Sequence, residues 1–405
     1  MSRKLNVMWI SPYVPYDTVR HAGGQTENFY LKGLVEDSEF DVFLLSFANL
    51  EELERIDLDK YNIRNRIFMN YTGKISRYFW LVINKFRHYN IFSRMGMLSV
   101  QYELYIKRFL KNNVTVEPDV VILHWTHMVL LAPYIKRIFP KTCIVCIEED
   151  VSFQSYERMW QKEENTILKI IRKKIFINRK AGELYSLKFS DAILVNNQKD
   201  FNLLRDNGID VDLWKWSVFF HNYGCINYLG DTKDILFYGA MDRKENYLSA
   251  IWFIENVMPL LKRYKMRFVI MGNNPIKKLY SYQNEHVIVT GFVDDPTVYF
   301  RKSLCLVAPL VLGAGIKVKI LESFSAGIPV LTNKIGIEGI PAVDGKDYIL
   351  CETPQDYSSG IIKLLHDNSF KKSLSSSAKD VINNSFNYHN NLKEFKQRLL
   401  LLMDK

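Results

Sequence analysis

The chain has 405 residues, 48% apolar and 24% charged, with 54 Lys/Arg against 44 Asp/Glu. That length and balance suit two globular domains with separate cores, and no run approaches the ~18 apolar residues of a membrane span. A net charge of +10 calls for an anionic partner, but no zinc finger, helix-turn-helix or RNA-binding aromatic signature points to nucleic acid.

The N-terminus leads straight into a strand-like run, Leu5–Ile10, without the apolar core of a secretory leader, so the expected location is cytoplasmic. A loop rich in Pro and Tyr follows, Gly23-Gly24 opens a helix to about Glu36, and Asp41–Ser46 reads as the next strand. Residues 49–117 read as a mostly helical insertion. Between Met69 and Asn112 lie eight Lys/Arg, one acid (Glu103) and ten aromatics. Ile75, Tyr78, Phe79, Val82, Ile83 and Phe86 keep helical spacing, while Arg77, Lys85 and His88 fall largely elsewhere. Such a basic amphipathic helix suits an anionic membrane surface, which would make the protein peripheral at the inner face of the cell membrane.

Strand and helix then alternate. Asp119–His124 is a strand, Met128–Ile138 a helix, and Cys143–Ile147 a strand ending on Glu148-Glu149-Asp150. A basic helical stretch spans Ser155 to Lys188, followed by strand Asp191–Val195, helix Lys199–Arg205 and strand Trp216–Phe220. Cys143 and Cys146 form a CxxC, but strand spacing turns them to opposite faces and no second pair lies near, so no metal site is expected.

Composition turns polar at Asn222–Asp234, which divides the chain into domains 1–221 and 222–384. A C-terminal helix within 385–405 carries Leu392, Phe395, Leu399 and Met403 on one stripe and is expected to pack back on the first domain. In the second domain Ile235–Tyr238 is a strand before the loop Gly239–Asn246, which offers Arg243 and Lys244. Arg267–Met271 is a strand ending on Gly272, and Val287–Thr290 leads to Gly291–Asp295. Strands alternating with helices imply parallel, doubly wound sheets whose ligands gather at the carboxyl ends of the strands.

The stretch 306–330 is the most informative. A buried strand, Leu304–Ala308, breaks at Pro309 and turns through Gly313-Ala314-Gly315 into a helix with Ile316, Ile320, Leu321 and Phe324 on one stripe. The helix stops at Gly327, and Ile328–Leu331 starts a new strand. A glycine turn at a helix N-terminus favours an anion. Lys317 and Lys319 in that first turn are out of place unless a ligand supplies negative charge, and Glu322, one turn on, could accept hydrogen bonds from sugar hydroxyls.

These residues resemble the donor domain of the retaining GT-B glycosyltransferases of family 4, often called group 1. The resemblance rests on TGFVDDPTVYF, on APLVLGAGIKVKILESFSAGIPVLTNKIGIEGI, and on the strand, loop and helix that open the second domain. It implies an α/β GT-B fold of two Rossmann-like doubly wound domains facing a central cleft. The first domain would bind an acceptor, a glycan or polyprenyl-diphosphate-linked glycan. The second would bind a nucleotide sugar, UDP- or GDP-linked, with no metal and no other cofactor. The activity implied is sugar transfer with retention in bacterial surface polysaccharide or glycoconjugate synthesis. Two alternatives stand beside it: a nucleotide-binding subunit of a polysaccharide assembly complex with little catalysis, or a sugar-nucleotide epimerase of similar fold.

Residue by residue, Glu322 matches the second glutamate of the family's E-x7-E motif, which contacts the ribose. Lys317 and Lys319 belong to the variant GAGxKxKxxE, with Gly315 and Ile316 in the turn, and with Arg243 they face the diphosphate. Gly239 and Gly272 end donor-domain strands, Phe292-Val293 flank the base, and Gly24 approaches the phosphates from the other domain. Two positions depart from the pattern. The first glutamate falls on Ala314. Where the family commonly has His-Asp, this chain reads Glu149-Asp150, so Glu149 or Asp150 is expected to position sugar or acceptor. Arg243 and Lys319 are expected to carry most of the charge stabilisation. His124 and His127 read as a strand-end histidine and its neighbour in a cap.

Overall fold

The computed structural model describes residues 3–19, 22–313 and 315–404. The chain forms two compact units, 1–219 with 388–405 and 220–387. It passes between them at Phe219/Phe220 and Asn387/Tyr388, a few residues from the boundaries read from composition.

The first unit holds a parallel sheet of β1 (Leu5–Ile10), β2 (Phe40–Ala48), β3 (Arg64–Met69), β4 (Val120–His124), β5 (Cys143–Glu148), β6 (Ala192–Val195) and β7 (Asp212–Lys215). Their order across the sheet is β3-β2-β1-β4-β5-β6-β7. Both faces are covered, so its central strands are apolar throughout rather than alternating. In β1, Val7 and Trp9 pack into one core layer and Met8 and Ile10 into the other.

Two elements differ from the sequence reading. The insertion contains β3, paired in parallel with β2; its Arg-Asn-Arg start is exposed on the sheet edge, so no apolar run marks it. The strand expected at Trp216–Phe220 lies instead at Asp212–Lys215. Trp216 is buried for another reason: its indole stacks on Tyr30 at 3.8 Å and meets Phe395 edge-on.

Phe395 belongs to the Tyr388–Leu401 helix, which packs on the Ala22–Val35 helix of the first unit. A Cβ at Gly33 would come within 2.4 Å of Leu392, so the two helices touch at that glycine. Phe395 and Leu399 are buried, each stabilising the contact by roughly 1.5–3 kcal/mol. Met403 of the expected stripe is 40% exposed, and Leu402 is buried in its place, because the last turn tightens to a 3-10 helix that rotates the stripe.

The second unit repeats the plan with β8 (Asp234–Tyr238), β9 (Arg267–Met271), β10 (Val287–Gly291), β11 (Cys305–Ala308), β12 (Val330–Thr332) and β13 (Ile349–Leu350). Its order is β10-β9-β8-β11-β12-β13, again all parallel. In each sheet the direction of winding reverses between the first strand and the fourth, β1/β4 and β8/β11. The helices that follow such a pair diverge and leave a crevice at the strand ends.

Candidate functional site

In the second unit, the crevice beside β8 and β11 is lined by two helix N-termini, those of Lys244–Asn256 and Val318–Ala326. Its floor is backbone. Gly239 and Gly272 end neighbouring strands with φ of 153° and 142°, and a Cβ on Gly272 would stand 1.8 Å from the carbonyl oxygen of Gly239. Only glycine fits there, since neither backbone can yield. Gly313 (φ 135°) and Gly315 (φ 69°) shape the turn beyond β11. Ala314 lies outside the described residues.

Three cations share this crevice. Arg243 occupies the N-cap position of one helix, is 63% exposed at its side chain and pairs with Glu245 at 2.6 Å. Lys317 occupies the N-cap position of the other, and its ammonium hydrogen-bonds to the carbonyl of Gly315. Lys319 crosses between the helices: its Nζ donates to Asn246 Oδ1 at 2.7 Å and lies 4.5 Å from the centre of the Phe237 ring. Burial lowers its pKa to about 7, Arg243 and Lys317 add to the fall, and Glu245 and Glu322 only partly oppose it. A lysine crowded by two like charges at two helix N-termini gains from any anion that arrives.

Glu322 stands one turn further on, buried, and accepts from the Tyr238 hydroxyl at 2.8 Å. Burial raises its pKa to about 7, against hydrogen bonds from Tyr238 and the backbone of His221. The helix ends where the sequence said, at Gly327 with φ 76°, but starts later: Ile316 precedes it and Lys317 is its cap. Phe292 and Val293 follow β10, two strands from β8; Phe292 is exposed and Val293 partly so. The structure therefore gathers Arg243, Lys317, Lys319, Glu322, Gly239, Gly272, Gly315 and Ile316 at one set of strand ends, with Phe292-Val293 on its flank.

The corresponding place in the first unit is different in kind. His124 ends β4 with no exposed surface. Its Nε2 is 2.7 Å from Glu149 Oε1, and its Nδ1 faces Glu27 Oε2 at 3.5 Å. Ser11 Oγ donates to Glu27 at 2.8 Å, and Asn196 Nδ2 donates to the Glu149 carbonyl at 2.9 Å. Burial pulls the His124 pKa down, but Glu27 and Glu149 override it and raise it to about 9. His127 moves the other way, to about 4, through burial and the charge on His124.

Glu149 and Asp150 follow the end of β5, which runs on through the buried Glu148. Burial and then Asp200 raise the Asp150 pKa, and its carbonyl accepts from Thr126. Gly24 lies in the first turn of the Ala22–Val35 helix, whose end is covered by Trp125: a Cβ on Gly23 would meet the indole at 2.5 Å. Trp125 itself has φ 80°.

The sequence reading missed Glu27, Ser11 and Asn196, and it took His124 for a structural residue. One signal was available, since β4 and β5 are neighbours and both end on a titratable group. Asn246 and Tyr238 were missed as well, because nothing in the local sequence says that one meets Lys319 and the other Glu322.

Residues 232–367 match the family described as Glycosyl transferases group 1. The chain is 21% identical over 417 positions to an uncharacterized glycosyltransferase of Methanocaldococcus jannaschii, covering 95% of each. Sucrose-phosphate synthase from Thermosynechococcus elongatus has a similar structure, with TM-score 0.67 and 13% identity over 99% of this chain and 100% of that one. Anabaena HepE, solved in complex with UDP-glucose, has TM-score 0.62 and 10% identity over 97% of this chain and 98% of that one. The second unit carries a group 1 glycosyltransferase domain, and the chain is a glycosyltransferase of the GT-B fold.

Proposed function

We propose that this glycosyltransferase takes a sugar from a UDP- or GDP-sugar and delivers it, with retention, to a glycan or polyprenyl-diphosphate-linked glycan in bacterial surface polysaccharide or glycoconjugate synthesis. One observation carries the donor half of the reading. Arg243, Lys317 and Lys319 converge at two helix N-termini over a glycine floor, and a buried carboxylate stands one turn away. That set matches a diphosphate on the cations and amides, with the ribose hydroxyls on Glu322. HepE, bound to UDP-glucose in its own structure, supports a uridine nucleotide as the first candidate.

In the proposed reaction the bond from the anomeric carbon to the diphosphate oxygen breaks, and the acceptor oxygen bonds to that carbon on the same face. The acceptor proton passes to the departing phosphate, so the nucleoside diphosphate leaves with the charge that Lys319 and Arg243 stabilise. Lys317 assists, and Glu149, held by His124, or Asp150 positions sugar or acceptor. No metal or other cofactor has a role in this scheme, because the cations are the protein's own. The basic helical insertion supports an acceptor held at a membrane surface.

The test is a thermal-shift screen against nucleoside diphosphates and nucleotide sugars. A ligand at ~100 times its dissociation constant adds roughly 2.7 kcal/mol to stability. A selective shift names the base, and transfer of label from that nucleotide sugar to a lipid-linked glycan then tests the acceptor. No shift with any nucleotide overturns the reading.

A further inference from the structure

Two segments of the first unit carry a surface that sugar transfer leaves unexplained. The Lys74–Tyr89 helix buries none of its residues, and Ile75 and Phe86 are 87% and 77% exposed. The first half of the Thr166–Leu187 helix is equally bare, with Ile167 and Ile170 71% and 67% exposed.

The two segments form one body. The buried Arg179 of the second helix donates to the carbonyl of Ser93 and, at 2.6 Å, to that of His88 in the first helix's last turn. Asn178 donates to the Ile91 carbonyl at 2.8 Å, and the Lys174 ammonium lies 5.3 Å from the Phe92 ring. Gly96 makes room for this clamp, since a Cβ there would stand 2.0 Å from the Arg179 guanidinium.

Charge and apolar exposure coincide here. Residues 74–94 and 166–180 hold 11 of the chain's 54 Lys/Arg and no Asp or Glu, which leaves 43 basic against 44 acidic residues elsewhere. The whole positive excess therefore sits in these 36 residues. Arg87 is paired with Glu103 and Arg172 with Glu163 from neighbouring segments, while Lys74, Arg77, Lys85, Lys169, Lys173 and Lys174 are exposed. Of the 27 large apolar side chains exposed among the described residues, 12 fall in the same short stretches, far beyond a scatter of single residues.

The composition selects the occupant. The first segment exposes aromatics (Tyr78, Phe79, Phe86, Tyr89 and Phe92), but the exposed apolar side chains of the second are all aliphatic and offer bases no stacking platform, so nucleic acid would use only half of the surface. A second copy meeting this face with its own would bring like charge onto like charge. Lysines around exposed isoleucine and phenylalanine fit acidic headgroups above an acyl boundary. We propose that the Lys74–Tyr89 and Thr166–Leu187 helices together form a single docking surface for an anionic phospholipid bilayer. The proposal deepens the reading of a membrane-held acceptor and rests on it only for its purpose, since the surface itself involves no donor-site residue.

The test is sedimentation with vesicles of equal parts phosphatidylcholine and phosphatidylglycerol, beside vesicles of phosphatidylcholine alone. The full chain is expected to sediment with the first at low salt, to stay in the supernatant with the second, and to be released by salt. Phe79→Ser with Phe86→Ser should weaken partition at least ~10-fold, as should Ile167→Ser with Ile170→Ser, because neither helix suffices. Lys169→Glu with Lys173→Glu should do the same and leaves every apolar contact in place. Melting temperature and the nucleotide-induced shift should be unchanged in all three variants, which separates failure here from failure of the donor site.

No sedimentation at low salt, equal binding to neutral vesicles, or dependence on one helix alone would each overturn the proposal. So would a dimer in analytical ultracentrifugation that the same substitutions abolish, since the face would then belong to a second copy.

Discussion

The two sheets share a strand order and a point of reversal, yet the two crevices hold opposite arrangements of charge. At β1/β4 the protein has supplied both signs itself: His124 lies between Glu27 and Glu149, with Ser11 and Asn196 closing the network. At β8/β11 it has supplied one sign in excess: burial depresses the pKa of Lys319, and Arg243 and Lys317 add to the fall. Topology fixes where a crevice opens. Whether the crevice suits an anion depends on which sign is in excess there: positive at β8/β11, with Arg243, Lys317 and Lys319 against Glu245 and Glu322, and negative at β1/β4, with one histidine against Glu27 and Glu149.

The sharpest way to break this contrast is Lys319→Ala. Removing one preorganised charge from the leaving group should lower turnover about 10²–10³-fold with the nucleotide sugar found by thermal shift. The melting temperature without ligand should hold or rise, because a desolvated, crowded ammonium costs the folded state free energy. Turnover near wild type would show that the lysine surplus has no part in the chemistry.

The complementary change, His124→Gln, should reverse those readouts. It leaves the buried Glu27 and the largely covered Glu149 facing no cation and should cost stability on the order of 3 kcal/mol, with nucleotide binding unaffected. The sign with pH follows from the raised pKa. A histidine at about 9 in the folded protein contributes fully below its unfolded value of about 6.5 and loses that contribution as pH rises through 9. Lys319, held near 7, pulls stability the other way over much of that range, so the readout is a difference: denaturant midpoints of wild type should fall relative to those of His124→Gln between pH 6.5 and 9. A difference that stayed flat would place the titration elsewhere.

Binding should respond to pH at the second unit. Lys319, near 7 without ligand, must rise when a diphosphate arrives, so above pH 7 binding takes up a proton. Affinity for a nucleotide sugar, whose diphosphate is a diester without ionisation in this range, should weaken toward ~10-fold per pH unit until the bound-state pKa is passed. Glu322, also near 7, runs the other way, because its ionised form is the better acceptor for ribose hydroxyls. Calorimetric titration of Lys319→Met should thus show affinity rising gently with pH. If the wild-type slope persisted in that variant, Lys319 would not be the group that takes up the proton.

The legibility of each feature followed its locality. The GAGxKxK turn and the stop at Gly327 are written in consecutive residues, so the motif and the fold class could be read directly. β3 could not, because an exposed edge strand has no apolar alternation to show. The network of the first unit brings together residues 11, 27, 124, 149 and 196 from five separate segments, so no window of sequence contains it. The basic helix over residues 74–89 announced itself by composition. Its companion read as a polar, basic helical stretch but not as an apolar face, because the exposure of Ile167 and Ile170 is a property of what the fold leaves uncovered.

The smallest expected effect is also the most specific. Tyr238 ends β8, and its hydroxyl lies 2.9 Å from the Lys319 carbonyl and 2.8 Å from Glu322 Oε2. Tyr238→Phe removes that one donor and leaves the half-buried ring in place, so its packing is kept. Glu322 then loses a bond worth about 1 kcal/mol to its orientation, and nucleotide affinity should drop about fivefold. Because ribose is held alike before and after leaving-group departure, the loss should appear in KM with kcat little changed. An equal loss in kcat would mean that Tyr238 acts through Lys319, whose helix turn it also touches, and would shift its role from holding the ribose to placing the charge.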